Sequence, residues 1–130
     1  MKNFDPDNNQ FTLENGDKCT YDYLVLSPGV ELRYDLIPGS REALDDPHSG
    51  VCSIYKMDYA YKTNALREHF KGGKAIFTLP RMPIKCGGAP QKIMYLSEET
   101  WRNTGVRKNC DIHFYTTVGN MFPNCLKFGD

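Results

Sequence analysis

The sequence predicts an α/β fold, in which an antiparallel hairpin and one buried strand precede a parallel β-α-β unit. Three observations support this fold class. Two β-rich runs flank an Asn-Gly pair near the start of the chain, a continuous apolar run follows them, and helical and strand patterns alternate from residue 58 onward. Because a strand–helix–strand segment of this length requires a crossover connection, we expect the last two strands to pair in parallel.

The hairpin is centred on Asn15-Gly16, a dipeptide that favours the positive φ values of tight turns. Its second run continues into residues 21–27, which become continuously apolar at positions 24–26, as in a strand that is buried on both faces. The run stops at Pro28-Gly29, so a buried strand is predicted to end there.

An irregular connection spans residues 30–57, which are rich in Pro, Gly and Asp, and a short helical turn is expected near residues 41–44. A helix is predicted next, because mostly apolar side chains recur at helical spacing until Gly72-Gly73 closes the pattern. The residues on its inner face are Tyr59, Thr63, Leu66 and Phe70.

The parallel unit begins with a short apolar strand at residues 75–79 and ends with a strand at residues 111–117. Between them, a helix is predicted over residues 90–103, with Asn103-Thr104-Gly105 as its C-terminal cap. Its broad apolar face consists of Ile93, Met94, Leu96 and Trp101.

The predicted sheets have few strands for a complete α/β domain. Sheets typically contain about 5–6 strands, and parallel strands need cover on both faces. The sequence therefore indicates a piece of a larger two-domain protein, in which residues 1–29 end the first domain, residues 30–57 form the connection and residues 58–130 belong to the second domain. A small independent α/β domain is the alternative.

Composition and charge argue against several classes of protein. The 130 residues include 16 Lys and Arg and 16 Asp and Glu, a balance that gives no electrostatic reason to expect a nucleic acid as partner. No apolar run approaches the ~20 residues of a membrane-spanning helix, and the start resembles neither a signal peptide nor a transit peptide. The five cysteines lack the spacing of zinc ligands, so we expect mostly reduced thiols and no metal site.

The turn at residues 80–90, PRMPIKCGGAP, places a thiol where a dinucleotide-binding fold normally places its phosphate loop. That loop would read G-x-G-x-x-G, whereas Gly87 and Gly88 are adjacent here and Cys86 precedes them. The helix N-terminus and the cation of Lys85 favour the thiolate form, and the two glycines leave room for a small nucleophile or a flat cofactor. A buried, inert cysteine at a tight turn is the alternative.

This turn lies within a longer stretch, AIFTLPRMPIKCGGAPQKIMYLSEETWRNTG, that resembles the central segment of sulfide:quinone oxidoreductases, especially the mitochondrial type of animals and fungi. The resemblance is nearly continuous over residues 73–105 and weaker over the rest of the chain. It implies part of a flavoprotein fold with two dinucleotide-binding domains. The hairpin and the strand after it would close the FAD-binding domain, and residues 58–130 would belong to the second dinucleotide-type domain.

The resemblance also implies a function. Members of this family oxidise hydrogen sulfide through a cysteine persulfide, pass electrons through FAD to ubiquinone and transfer the sulfur to a small acceptor, and the implied location is the mitochondrial inner membrane. The family's FAD fingerprint and resolving cysteine have no match in this chain, which also carries no targeting segment. We therefore expect the chain alone to be inactive and not to retain FAD, and membrane association to depend on other parts of the family protein.

The resemblance assigns roles to individual residues. Cys86 matches a catalytic cysteine of the family, and Lys85 is the neighbouring cation that would favour its thiolate. Ser27-Pro28-Gly29 resembles the segment by which these flavoproteins return the chain past FAD. Gly87 and Gly88 would border the same cofactor, since they carry no side chain that would crowd it.

The remaining cysteines carry weaker predictions. Cys52 lies in the connection and is a candidate accessory redox thiol, because bacterial members of the family carry an additional cysteine in a broadly similar part of the chain. Cys19, Cys110 and Cys125 are interpreted as structural or incidental. Two alternatives to the enzyme stay open: a truncated, non-catalytic thiol-bearing fragment or binding module of the same fold, and an NADH-linked flavin disulfide reductase, which the broken glycine spacing disfavours.

Overall fold

The computed structural model describes residues 1–122 and Lys127, and the chain divides into two compact units, Met1–Glu31 and Leu32–Asp130. The strands of the first unit are β1 (Asn3–Asp5), β2 (Gln10–Thr12) and β3 (Lys18–Thr20). The elements of the second unit are α1 (Ser40–Asp45), α2 (Met57–His69), β4 (Gly73–Leu79), α3 (Ala89–Asn103) and β5 (Cys110–Thr116). Short 3-10 turns occupy Pro6–Asn8, Tyr34–Leu36 and Arg107–Asn109.

The first unit is an antiparallel sheet in the order β1-β2-β3. The predicted hairpin joins β2 to β3, with Thr12 opposite Lys18, and is confirmed. Gly16 has a φ of +94°, and its amide donates to the Leu13 carbonyl at 3.0 Å. An Asn-Gly pair therefore builds this turn, as its conformational preference requires. The sequence pattern does not reveal β1, which has only three residues and no alternation long enough to detect.

The buried strand predicted over residues 21–27 is wrong for this chain. No residue of this run is in a strand, and the side chains of Tyr23 and Val25 are 95% and 85% exposed. A strand forms only where a second strand accepts and donates its backbone hydrogen bonds, and among the described residues none pairs with this run. The apolar pattern at positions 24–26 is therefore left on the surface.

The parallel unit is confirmed. Strands β4 and β5 pair in parallel, in a register that runs from Gly73 opposite Cys110 to Leu79 opposite Thr116, and α3 is the crossover between them. The predicted C-terminal cap of α3 also forms, because Gly105 has a φ of +76° and its amide donates to the Arg102 carbonyl at 3.1 Å.

Trp101 of α3 is the centre of the apolar contacts in the second unit. Its side chain is buried, and its ring lies 4.7 Å from that of Phe70 and 6.3 Å from that of Phe77. The indole nitrogen donates to the Arg67 carbonyl of α2 at 2.9 Å. The prediction that Leu96 belongs to the apolar face is wrong. Its side chain is 42% exposed, because no described element covers that side of the helix.

A short segment of the predicted connection is tied to α2 by polar contacts. The predicted helical turn near residues 41–44 is confirmed as α1. At its C-terminal end, the Lys62 ammonium donates to the carbonyls of Ala43 and Leu44 at 3.0 and 3.2 Å. The Tyr59 hydroxyl donates to an Asp45 carboxylate oxygen at 2.6 Å. Because helix-terminal carbonyls need donors, these contacts fix α1 against α2.

Gly72 and Gly73 offer a matched test of the turn into β4. Gly72 has a φ of +122°, and a Cβ there would lie 2.6 Å from the Cβ and 2.8 Å from the carbonyl oxygen of Asn109. Gly73 has a φ of +103° but nothing within 4 Å of the same position. We expect Gly73→Ala to lower the free energy of unfolding by about 1–2 kcal/mol through backbone strain alone. Gly72→Ala should cost about 3 kcal/mol or more, because steric overlap adds to the strain.

Urea unfolding followed by far-ultraviolet circular dichroism measures both effects. Equal losses for the two variants would contradict the close approach of Asn109 to Gly72.

Candidate functional site

Cys86 lies in the turn between β4 and α3, three residues before the first residue of the helix. Its side chain is exposed, so the alternative of a buried thiol does not hold. The Cys86 carbonyl accepts a hydrogen bond from the Ala89 amide at 3.3 Å, which closes the turn directly before α3. The thiol therefore sits on an open turn beside a helix N-terminus, where unpaired amide groups favour a negative charge.

Tyr55 connects this turn to the rest of the second unit. Its hydroxyl donates to the Cys86 carbonyl at 2.8 Å, across 31 residues of sequence. The Tyr55 amide donates to the Ser53 hydroxyl oxygen at 3.3 Å. Ser53 in turn shares a 2.7 Å hydrogen bond with the Tyr34 hydroxyl. A chain of hydrogen bonds thus runs from Tyr34 through Ser53 and Tyr55 to the turn.

The surroundings of Tyr55 shift the pKa of its phenol upward. Burial raises the pKa of the Tyr55 phenol above its usual value of 10.0, and the negative charge of Cys86 and then that of Tyr34 raise it further. A like charge raises an acid's pKa because it opposes formation of the second anion. The phenol is therefore protonated at neutral pH and remains a hydrogen-bond donor.

Lys85 and Cys52 are the other two thiol-site candidates from the sequence. Lys85 is exposed and precedes Cys86 in the chain, so the two side chains share one turn. Cys52 is half-buried and lies three residues before Tyr55. Every cysteine that the structure describes is a free thiol, and Cys125 lies outside the described residues.

Two of the cysteines interpreted as structural are described. Cys110 is buried at the start of β5, and its thiol donates to the Val106 carbonyl at 3.3 Å. Cys19 is half-buried in β3. The contact of Cys110 is the kind that a packed, inert thiol makes.

The residues that are predicted to contact the cofactor lie in two exposed segments, one in each unit. Gly87 and Gly88 are exposed; a Cβ on Gly88 would meet nothing within 4 Å, and one on Gly87 would meet only the Met82 methyl group at 3.9 Å. In the first unit, Ser27-Pro28-Gly29 is exposed, and Gly29 has a φ of +75° that favours glycine. Both stretches are therefore open to solvent.

Two further observations on the described residues concern metal ligands and membrane-spanning helices. Among residues 1–122 and Lys127, no group of three or more metal-ligating side chains comes together. None of the helices in that same part of the chain has the length and apolar character that crossing a bilayer requires.

Tyr55 is the residue of this site that sequence reasoning missed. It lies in the irregular connection, where no periodic pattern assigns it to a face, and its partner is far away in the sequence. The only nearby residue that the sequence analysis singles out is Cys52, and a candidate thiol there gives no indication of a role for Tyr55.

Comparison with known proteins finds similar mitochondrial sulfide:quinone oxidoreductases, although no family model matches the chain. It is 42% identical over 122 residues to the mitochondrial sulfide:quinone oxidoreductase of Schizosaccharomyces pombe, a match that covers 94% of this chain and 27% of the relative. The proteins of the same name from Mus musculus and Dictyostelium discoideum are 42% and 40% identical over 117 and 121 residues, which cover 90% and 92% of this chain and 26% of each relative. The chain thus spans about a quarter of the length of these relatives.

Proposed function

Since the chain belongs to the sulfide:quinone oxidoreductase family, we propose that it is a segment of a flavin-dependent enzyme that oxidises hydrogen sulfide and reduces ubiquinone. The three relatives carry sulfide and quinone in their names and are named as mitochondrial proteins, which supports a mitochondrial location for this chain. We extend this location to the inner membrane, where ubiquinone is reached through parts of the enzyme outside residues 1–130. The complete protein that contains this segment is called the full-length enzyme.

The exposed position of Cys86, in the open turn between β4 and α3, is the observation that carries the proposal. Cys86 is proposed to form a disulfide with a second cysteine outside this chain. Hydrosulfide attacks that disulfide, a new S–S bond forms to one of the two sulfurs, and the other leaves as a thiolate. Transfer of the outer persulfide sulfur to a small acceptor would leave two thiolates. FAD, when bound, would accept the electron pair that these thiolates give up as they re-form the disulfide, and would pass it to ubiquinone.

The chain's own residues serve this chemistry by binding and orienting. The N-terminus of α3 and the Lys85 ammonium stabilise the Cys86 thiolate that must attack or leave. Gly87 and Gly88 offer bare backbone on which a flavin ring can lie close to the sulfur. Cys52 remains a candidate accessory thiol within the same unit.

The first unit is proposed to contribute a backbone contact of its own to FAD. Ser27-Pro28-Gly29 is assigned as a backbone contact to FAD, within residues 1–29 as the end of the FAD-binding domain. Residues 30–57 remain the proposed connecting segment, and residues 58–130 the proposed part of the second dinucleotide-type domain. Because the pyrophosphate-binding fingerprint is not in this chain, we expect the 130 residues alone not to hold FAD and to be inactive.

Residue-resolved alkylation of the chain tests the role of Cys86. We expect Cys86 to react faster with iodoacetamide at neutral pH than any other cysteine, because its side chain is exposed beside a helix N-terminus and next to Lys85. Lys85→Met should slow Cys86 by roughly twofold, since an exposed neighbouring charge contributes less than about 1 kcal/mol. Mass spectrometry of the digested protein measures each thiol separately.

The matched control is Lys71→Met, which removes an exposed lysine that is not next to a cysteine in the chain. It should leave the Cys86 rate unchanged. If Cys86 reacts no faster than Cys19, the local activation of this thiol is refuted.

A further inference from the structure

We propose that Tyr55 is a positioning residue, which holds the Cys86 turn in place through its hydrogen bond to the Cys86 carbonyl. The inference rests on the function proposed for Cys86. The carbonyl accepts two hydrogen bonds, one from the Ala89 amide at 3.3 Å and one from the Tyr55 hydroxyl at 2.8 Å. The shorter of the two comes from outside the turn, so the position of the thiol-bearing backbone depends on Tyr55.

Tyr55 is itself held from outside the turn, through Ser53. Its amide donates to the Ser53 hydroxyl. The Ser53 carbonyl lies 3.2 Å from the Thr63 hydroxyl, whose single proton makes its shorter hydrogen bond, at 2.8 Å, to the Tyr59 carbonyl of α2. Thr63 is buried on the inner face of α2. Tyr34 adds the 2.7 Å hydrogen bond to the Ser53 hydroxyl. Since Ser53 and Tyr34 both lie outside the turn, their contacts give the phenol a location that does not depend on the turn tethered to it.

A phenol has a single proton, and here the Cys86 carbonyl receives it. Tyr55 therefore acts on the thiol through the backbone and does not donate to the sulfur in the same arrangement. The charge of Cys86 and the burial of the phenol both keep Tyr55 protonated, so the tether persists while the thiol is ionised. A fixed turn keeps the sulfur at the helix N-terminus and in line with an attacking or leaving sulfur, where a small displacement is costly in rate.

The functional test uses Tyr55→Phe in the full-length enzyme, which removes the hydroxyl and keeps the ring. We expect kcat/KM for sulfide to fall by about tenfold, while the KM for quinone and the FAD content stay at wild-type values. The matched control is Tyr61→Phe, a tyrosine on α2 that is 71% exposed, and it should leave all three quantities unchanged. A merely structural role of Tyr55 would lower the FAD content or alter both KM values together.

A second measurement keeps Tyr55 itself and so does not depend on the folding of a Tyr55 variant. The pKa of the phenol is followed in the 130-residue chain by the ring carbon shift of labelled tyrosine, with and without Cys86→Ser. Serine carries no negative charge, so the substitution should lower the pKa of Tyr55 toward 10.0, whereas Cys19→Ser should not change it.

The outcomes separate the two proposals. If Tyr55→Phe keeps kcat/KM within twofold of wild type while Cys86→Ser abolishes it, the positioning role is wrong and the proposed function stands. If the pKa of Tyr55 does not respond to Cys86→Ser, the phenol does not lie beside Cys86 and the inference fails regardless of the enzyme's activity. If Cys86→Ser keeps its activity, the proposed function fails and the inference that rests on it falls as well.

Discussion

Cys86→Ser in the full-length enzyme is expected to abolish sulfide-dependent quinone reduction, with a loss on the order of a thousandfold or more, while FAD stays bound. A serine hydroxyl can form neither a disulfide nor a persulfide, so sulfide cannot be oxidised at this position. The substitution is nearly isosteric and lies on an exposed turn, which leaves the fold and the flavin site intact. Steady-state assays with sulfide and a short-chain ubiquinone measure the activity, and the flavin absorbance per protein measures the FAD content.

The control for this substitution is Cys19→Ser, which changes a half-buried thiol on β3 of the other unit. It should keep its activity within about twofold of wild type, since single substitutions away from a site are usually mild. A Cys86→Ser enzyme that retains a tenth of the wild-type activity would show that the reactive sulfur lies elsewhere.

Trp101→Ala is expected to lower the free energy of unfolding of the second unit by about 3–5 kcal/mol, the usual cost of removing a buried aromatic side chain. The substitution deletes the ring contacts with Phe70 and Phe77 and leaves the Arg67 carbonyl without its indole donor. Because domains are stable by only about 5–15 kcal/mol, much of this unit should unfold at moderate temperature.

The chain has a single tryptophan, so its fluorescence is lost with the substitution and far-ultraviolet circular dichroism in urea is the appropriate measurement. The matched control is Leu96→Ala on the same helix, whose side chain is 42% exposed. It should cost less than about 1 kcal/mol. A loss for Trp101→Ala as small as that of the control would contradict the packing of α3 against α2 and β4.

The parts of the fold that could be predicted are those determined by neighbours in the sequence. The hairpin follows from Asn15-Gly16, because the preference of that pair is local. The parallel unit follows from two apolar strands and the helix between them, since a crossover of this length has one common solution. The failure at residues 21–27 has the opposite cause: an apolar run becomes a strand only beside a partner, and the described chain provides none.

The same distinction between local and distant neighbours decides which parts of the candidate site could be predicted. The position of Cys86 was predictable, because the strand, the turn and the helix that present it are consecutive. Its tether was not, because the hydroxyl of Tyr55 comes from 31 residues away and from a segment without periodicity. Contacts of this kind depend on tertiary packing, here on the way that Tyr34 and Ser53 fix the segment before α2.

The central claim is that Cys86 carries the sulfur chemistry of the enzyme, and peptide mapping under non-reducing conditions tests it most directly. The full-length enzyme is isolated without reductant, its free thiols are blocked, and the digest is analysed by mass spectrometry before and after reduction. We predict that the Cys86 peptide is bridged through sulfur to a second cysteine and is released by reduction. Recovery of Cys86 as a blocked free thiol, in an enzyme that turns over sulfide, would contradict the claim.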